Sequence, residues 1–335
     1  MKFLNNSSGK HIYVCVKYRS DVMHKWKVLV TARSFAQSDP APQKMLEDAG
    51  CDVFRPEPGV ELSESLKDVD AVIAGLESYT KDTLSAAQSL KIISRYGVGY
   101  DAIDLAAAKE ANIAVANTPG ANSESVADLA FALMLSAARH IPQMDSAIKA
   151  GGNSRPLGME MWKKTLGIIG MGKIGKGVVE RASGFRMRIL CLDIFKDEVF
   201  AKKFKAHYTD LDTLLHESDF ITIHVPLSIE TRNMIDSTAL SKMKKKAVLV
   251  NTARGGIIDE EALVKALSNG TIGACGLDVT TGELNGNNLL CKLPNCILSS
   301  HAGAATHEAV LNMGTMAAKN LLDYLETGTC TNLVY

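Results

Sequence analysis

The stretch TLGIIGMGKIGKGVVERASGFRMRILCLD, Thr165 to Asp193, constrains this chain more than any other. Leu166 to Ile169 is an apolar run short enough for a buried strand. Gly170, Gly172 and Gly175 follow in the pattern G-x-G-x-x-G, and helix-forming residues continue to Ala182. A second apolar run, Ile189 to Leu192, ends on Asp193. The spacing predicts a strand, a tight turn and a helix whose N-terminus faces a pyrophosphate. Gly170 permits the turn, Gly172 lets the backbone approach phosphate, and Gly175 lets helix and strand pack closely. Asp193, 18 residues beyond Gly175, is placed to accept hydrogen bonds from an adenosine ribose. A carboxylate there would repel a 2′-phosphate, so NAD is expected over NADP, although nearby Lys196 softens that preference. The alternative for Asp193 is a solvated strand-end carboxylate.

A glycine loop alone names no reaction, so its setting matters. At 335 residues the chain has room for two domains. Apolar content of 46% with 22% charged residues excludes a disordered chain. A formal charge of zero gives no electrostatic footprint for nucleic acid or an anionic membrane. The seven cysteines form no C-x-x-C pair, and several sit in apolar runs, as expected of reduced thiols rather than a disulfide framework or zinc site. The N-terminus has no apolar run long enough for a signal peptide or membrane span, so a cytoplasmic location is expected.

Residues 1–25 read as an N-terminal extension. From Lys27, KVLVTAR, CDVF, DAVIAGL, LKIIS and IAVAN read as strands separated by helical stretches. That alternation predicts a parallel sheet with helices on both faces, ending near Pro119. SVADLAFALMLSAA, Ser125 to Ala138, is a helix apolar almost all round, which must be buried. Ser125 with Asp128 matches a capping box. Burial between domains or against a second copy accounts for such a helix, and a homodimer is expected. After a surface connection, Gly151 to Lys164, six more strands follow: TLGII, RILCL, FITIHV, AVLVN, ACGLDV and CILSS. HEAVLNMGTMAAKNLLDYLETG reads as a final helix returning to cover the first unit. The expected fold class is α/β with two doubly wound parallel-sheet domains. Residues 26–119 and 303–335 form a discontinuous, flavodoxin-like substrate domain, and 120–302 a Rossmann-like NAD domain.

Ligands in such sheets bind outside the carboxyl ends of the strands. Three groups stand at or after those ends: Arg254 in NTARGGIIDEEAL, Glu283 in GLDVTTGEL and His301 in SSHAGAAT. Each has a plain structural alternative: bonding loop carbonyls, solvation, or capping a helix. Together, beside a nicotinamide site, they suffice for hydride transfer at a carbonyl. Histidine titrates nearest physiological pH and can supply the proton an alkoxide needs. A glutamate beside it would raise its pKa and hold its tautomer. Arginine can pair with a substrate carboxylate and polarise the carbonyl, so no metal is required. In RYGVGYD, Gly97 and Gly99 flank Val98 and free the backbone to form an anion nest. A plain left-handed turn is the alternative.

YGVGYDAID, ANTPGANSESVADLAFALML, TLGIIGMGKIG, VNTARGGIIDEEAL, GLDV and HAGAAT, in that order, resemble the motifs of the D-isomer-specific 2-hydroxyacid dehydrogenases. The resemblance runs from about Lys27 to Tyr335. It implies a catalytic trio of Arg254, Glu283 and His301, with NAD contacts at Val98, Lys173, Ile174, Asp193, Val225, Thr252, Ala253 and Asp278. Within the family the chain is most similar to short-form D-3-phosphoglycerate dehydrogenases. That likeness implies oxidation of 3-phosphoglycerate to 3-phosphohydroxypyruvate, the entry to serine synthesis. Those enzymes carry an arginine near the position where this chain has Leu76 and Glu77. Arg33 and Arg95 therefore become the candidate phosphate ligands, beside Gly97, Val98 and Gly99. The alternatives are hydroxypyruvate, glyoxylate or another D-2-hydroxy acid as substrate, and an NAD-sensing protein that binds a macromolecular partner.

Overall fold

The computed structural model describes residues 25–282, 285 and 288–335. The expected extension, apart from Lys25, and the candidate acid Glu283 lie outside the described residues.

The first sheet is built from β1 (Trp26–Val30), β2 (Cys51–Phe54), β3 (Ala71–Ala74), β4 (Ile92–Arg95) and β5 (Ala114–Ala116). Between them run α1 (Ala41–Asp48), α2 (Leu62–Ser65), α3 (Lys81–Ser85) and α4 (Leu105–Glu110). Every neighbouring pair is parallel, in the order β2-β1-β3-β4-β5. The chain thus reverses its direction of winding between β1 and β3, which opens a crevice at their carboxyl ends. Apolar runs such as Ala71–Ala74, buried at every residue, are what a sheet covered on both faces requires.

The second sheet follows a helical crossing, α5 (Ser123–Arg139) and α6 (Ile141–Lys149). Its elements in chain order are β6 (Thr165–Ile169), α7 (Lys173–Gly184), β7 (Arg188–Leu192), α8 (Glu198–Phe204), β8 (Ala206–Tyr208), α9 (Leu211–Glu217) and β9 (Phe220–Ile223). Then come α10 (Ser237–Lys242), β10 (Val248–Asn251), α11 (Glu260–Ser268), β11 (Ala274–Leu277) and β12 (Cys296–Leu298). The order β12-β11-β10-β9-β6-β7-β8 is again all parallel, with its reversal between β6 and β9. It has seven strands rather than the six expected. The additional strand, β8, is three residues long at the sheet edge, too short to leave a periodic apolar signal.

The last helix, α12 (His307–Thr327), lies on the first sheet. Met313, Ala317 and Leu321 join the core formed by Trp26, Val28 and Ile73. Ser94 Oγ and Tyr96 OH donate to its Ala317 and Val310 carbonyls at 2.9 and 3.0 Å. Gly314 admits the close approach of α1: a Cβ there would stand 2.9 Å from Pro42 Cγ.

One expectation about α5 needs correction, and its apolar girth has an account within the chain. Ser125 does not head a capping box, because the helix begins two residues earlier, at Ser123. Ser125 Oγ instead bonds Thr306 Oγ1 at 2.7 Å, and Asp128 pairs with Arg181 at 2.6 Å. The helix is apolar all round because its own chain covers it. Phe131, Leu133 and Met134 pack with Val178 and Val179 of α7 and Val248 and Val250 of β10. Each such side chain contributes roughly 1.5–3 kcal/mol by leaving water. A second copy is not needed to explain its composition.

Candidate active site

The glycine loop takes the form its spacing predicts. Gly170 ends β6 at φ +100°, and a Cβ there would sit 2.6 Å from the His224 carbonyl oxygen of the neighbouring β9 end. A Cβ on Gly175 would meet the Gly170 oxygen at 2.1 Å, so only glycine lets α7 start so close to β6. Gly172, the residue before α7, faces open space, with nothing within 4 Å of where a Cβ would be. Free helix-end amides beside open space form a phosphate cradle, and here it lies at the reversal point of the second sheet.

Asp193 ends β7 half-buried, with both carboxylate oxygens occupied. Oδ2 accepts from Met171 N at 2.6 Å and Oδ1 from Phe195 N at 2.8 Å. These bonds tie the β7 end to the glycine loop and aim the carboxylate along its rim. Ile174 is half-buried in the first turn of α7, and the Val225 side chain packs beside Gly170. Lys173 behaves differently: its Nζ donates to the Pro119 carbonyl at 3.0 Å, holding α7 to the crossing segment. At the end of β10, Thr252 Oγ1 is buried with no partner in the described protein, while Ala253 N donates to Asn251 Oδ1 at 2.9 Å. An orphaned buried hydroxyl beside an open phosphate cradle fits a bound dinucleotide.

Asp278, at the end of β11, was expected to touch the cofactor. Its buried carboxylate is committed to the loop that carries His301. Oδ1 accepts from Ser299 Oγ at 2.6 Å and Ala302 N at 2.8 Å, and Oδ2 from Gly303 N at 2.9 Å. His301 N donates to the Asp278 carbonyl at 3.0 Å, and His301 sits in a left-handed conformation at φ +54°. Asp278 therefore fixes the backbone that presents the imidazole.

The two sheets face one another through Arg254. Its Nε donates to Asp101 Oδ2 at 2.9 Å, and its Nη1 donates to the Ala253 carbonyl at 2.6 Å. Its Nη2 lies over Gly99, where a Cβ would come within 1.5 Å of it. Gly97, at φ +141°, turns its own N–H back onto the Arg95 carbonyl at 3.0 Å. The amides left for the expected anion nest are those of Val98 and Gly99, beneath the Arg254 guanidinium. Asn117 Nδ2 holds the Val98 carbonyl at 2.8 Å and Thr118 N the Gly97 carbonyl at 3.1 Å.

Arg254 and Arg95 both bear electrostatically on His301. The His301 pKa is lowered, first by loss of solvent around a ring that still reaches the cleft. Arg254 and Arg95 push the same way, and Asp278 opposes them. The upward shift expected from a neighbouring glutamate does not emerge from the described residues. The Arg95 pKa is also lowered, by burial and then by Arg254, against Glu77, Tyr79 and Asp101. The loop that leads to Glu283 folds over the arginine turn: a Cβ on Gly255 would collide with the Thr280 carbonyl at 2.3 Å.

Arg33 stands exposed on the loop after β1. That loop is braced by Arg55, which was not foreseen, through bonds to the Ala32 and Phe35 carbonyls at 3.1 and 2.9 Å. Sequence reading named Glu77 only as a departure where an arginine was expected, and missed that it joins Thr31 and Tyr79 at the carboxyl ends of β1 and β3. The signal was Glu77 itself, an acid three residues past an apolar strand. Among the described residues no group of histidine, cysteine and carboxylate side chains has metal-ligand geometry, and no helix is long and apolar enough to cross a membrane.

Comparison with known proteins agrees with this geometry. Residues 131–303 match the family described as D-isomer specific 2-hydroxyacid dehydrogenase, NAD binding domain. A glyoxylate reductase from Korarchaeum cryptofilum is 42% identical over 279 residues, covering 81% of this chain and 84% of that protein. A D-3-phosphoglycerate dehydrogenase from Methanocaldococcus jannaschii is 43% identical over 82% of this chain, but the match covers only 53% of that longer protein. The D-lactate dehydrogenase of Aquifex aeolicus, solved with NAD and lactic acid, superposes with a TM-score of 0.79 at 30% identity, over 92% of this chain and 98% of that one. The chain therefore belongs to the D-isomer-specific 2-hydroxyacid dehydrogenase family and is an NAD-dependent oxidoreductase.

Proposed function

We propose that this enzyme interconverts a short D-2-hydroxy acid and its 2-oxo acid, with glyoxylate and hydroxypyruvate as the oxo acids reduced. The observation that carries the reading is Arg254 Nη2 poised over Gly99, with Arg254 and Arg95 both near enough to His301 to push its pKa down. In this reading the amides of Val98 and Gly99 hold the substrate carboxylate, and Arg254 caps it from the opposite sheet. Arg254 also draws electron density toward the C2 oxygen as negative charge develops there. Gly170, Gly172, Gly175, Ile174, Asp193, Val225, Thr252 and Ala253 would hold NAD, whose nicotinamide ring would supply the hydride in reduction and accept it in oxidation. His301 gives a proton to the C2 oxygen in reduction and removes it in oxidation. Glu283 is assigned the second imidazole nitrogen.

Oxidation of D-3-phosphoglycerate in serine synthesis is the second reading, favoured by the likeness to the Methanocaldococcus jannaschii enzyme, with Arg33 and Arg95 as phosphate ligands. Steady-state kinetics on glyoxylate, hydroxypyruvate, pyruvate and D-3-phosphoglycerate separates the two. His301→Ala tests the chemistry in either case: turnover should fall about 10²–10⁴-fold with NAD affinity retained. A loss below tenfold would remove His301 from the mechanism. A homodimer remains our assignment, carried by Ile141, Ile148, Leu157 and Trp162, which follow α5 and are exposed. Sedimentation as a monomer at micromolar concentration overturns it.

A further inference from the structure

The first sheet has its own reversal point, between β1 and β3, and a built polar cluster occupies it. Thr31 follows β1, and Gly75, Glu77 and Tyr79 follow β3. Gly75 N donates to Thr31 Oγ1 at 2.9 Å, and Thr31 Oγ1 lies 2.8 Å from Glu77 Oε2 and 3.2 Å from Tyr79 OH. A hydroxyl has one proton, and a carboxylate can only accept. Thr31 therefore donates to Glu77, and Tyr79 donates to Thr31. Tyr79 is fully buried, and Thr31 nearly so. The Tyr79–Thr31–Glu77 chain thus runs from the core to a carboxylate at the crevice. Gly75 leaves room for that carboxylate: a Cβ there would lie 2.7 Å from Oε2. Among the described residues Oε1 has no donor, so it is the acceptor this site offers to a ligand.

Arg95 connects the cluster to the reaction centre: it ends β4 beside Ala74 of β3, and its guanidinium lies against Gly97, where a Cβ would stand 2.8 Å from Nη1. β3 and β4 are paired neighbours, so the segment after β3 that bears Glu77 lies beside the Gly97–Gly99 turn that follows β4. We propose that Glu77 is the specificity-determining residue of this enzyme, accepting a hydrogen bond from a hydroxyl on C3 and excluding a phosphate ester at the same carbon. This rests on the family reaction proposed above and narrows its substrate to a 3-hydroxy-2-oxo acid. Glu77 and Arg95 bring opposite charges to the crevice, which suits a neutral hydroxyl. A phosphate would face the Glu77 carboxylate, a like charge.

The test is steady-state kcat/KM of the full chain with NADH on glyoxylate, pyruvate, hydroxypyruvate and 3-phosphohydroxypyruvate, repeated with Glu77→Gln and Thr31→Val. The parent enzyme should prefer hydroxypyruvate to its phosphate ester by about 100-fold, and to pyruvate by about tenfold, the range of a hydrogen bond to a charged group. In Glu77→Gln the preference over the phosphate ester should fall at least tenfold. In Thr31→Val, which removes the donor that positions Glu77, it should move the same way by a smaller factor. Ratios within one variant are unaffected by how much of it folds. A parent enzyme that prefers the phosphate ester, or a ratio that Glu77→Gln leaves within twofold while glyoxylate is still reduced, overturns the role of Glu77 and leaves the family reaction standing. No turnover of any of the four overturns both.

Discussion

Arg254 and Asp101 lie 153 positions apart and meet across the cleft, the guanidinium Nε donating to Asp101 Oδ2 at 2.9 Å. Both side chains are partly exposed, so the pair contributes little to stability, about 0–1 kcal/mol. Its consequence is orientation. With Nε held by Asp101 and Nη1 by the Ala253 carbonyl, Nη2 is directed over Gly99. The loop after β10 and the turn after β4 are thereby held together.

Gly99→Ala should therefore act as a selective lesion. Its Cβ would stand 1.5 Å from Arg254 Nη2 and displace the guanidinium. We expect kcat/KM for the oxo acid to fall about 100-fold, the scale of one misplaced charged donor at a developing oxyanion. NAD affinity, read by fluorescence titration, should change less than threefold. Equal losses in both would place the damage in the fold instead.

The lowered His301 pKa sets the direction of the pH profile. Reduction needs a protonated imidazole and oxidation a neutral one. With its pKa lowered from 6.5, the free enzyme carries less imidazolium at neutral pH than an ordinary histidine would. The expected outcome is that kcat/KM for reduction falls as pH rises through a value below 6.5, while kcat/KM for oxidation rises over the same interval. A reductive limb that holds level to pH 8 contradicts this assignment.

Asp193 should govern cofactor choice. Asp193→Ala removes the acceptor of both the Met171 and Phe195 amides and the carboxylate that opposes a 2′-phosphate. A tenfold or greater rise in Kd for NADH is expected, roughly the loss of one hydrogen bond to a charged group. The preference for NADH over NADPH should narrow at the same time. An unchanged preference between the two reduced cofactors would assign Asp193 to loop structure alone.

His224 adds an acid sensitivity. Its Nδ1 is buried without a partner in the described protein, and burial draws its pKa down from 6.5 to about 3. Above pH 6.5 both folded and unfolded chains hold it neutral, and it has no effect on stability. As pH falls from 6.5 toward 3, the unfolded chain takes up a proton that the folded chain refuses, and stability falls by about 1.4 kcal/mol per pH unit at most. Between pH 5.5 and 4.5 the parent protein should lose about 1 kcal/mol more than His224→Gln in urea titrations. Parallel losses would show that the imidazole is protonated in the folded state.

Local pattern made much of this molecule legible. The strand–glycine turn–helix at Leu166 to Ala182 depends on spacing within a few residues, and the structure reproduces it down to the collisions a Cβ would cause at Gly170 and Gly175. The return of α12 to the first sheet was equally readable, because its apolar positions recur at helical spacing. The failures were tertiary. A Ser–x–x–Asp pattern looked like a helix cap, yet Ser125 and Asp128 found distant partners in Thr306 and Arg181. The same apolar girth in α5 is satisfied by neighbours within the chain or by a second copy, and periodicity cannot say which.

The sequence by itself determined two parallel α/β sheets, a dinucleotide loop at Gly170 to Gly175, and the strand ends that bear Arg254 and His301. Those features are short-range, set by backbone sterics and by the period of apolar residues. The tertiary structure alone decided which strand ends meet. It placed Arg254 over Gly99, gave Asp278 to the His301 loop, and joined Thr31, Glu77 and Tyr79 at the reversal point of the first sheet. Such contacts depend on strand order and on the angle between two domains, and neither leaves a periodic trace in the chain.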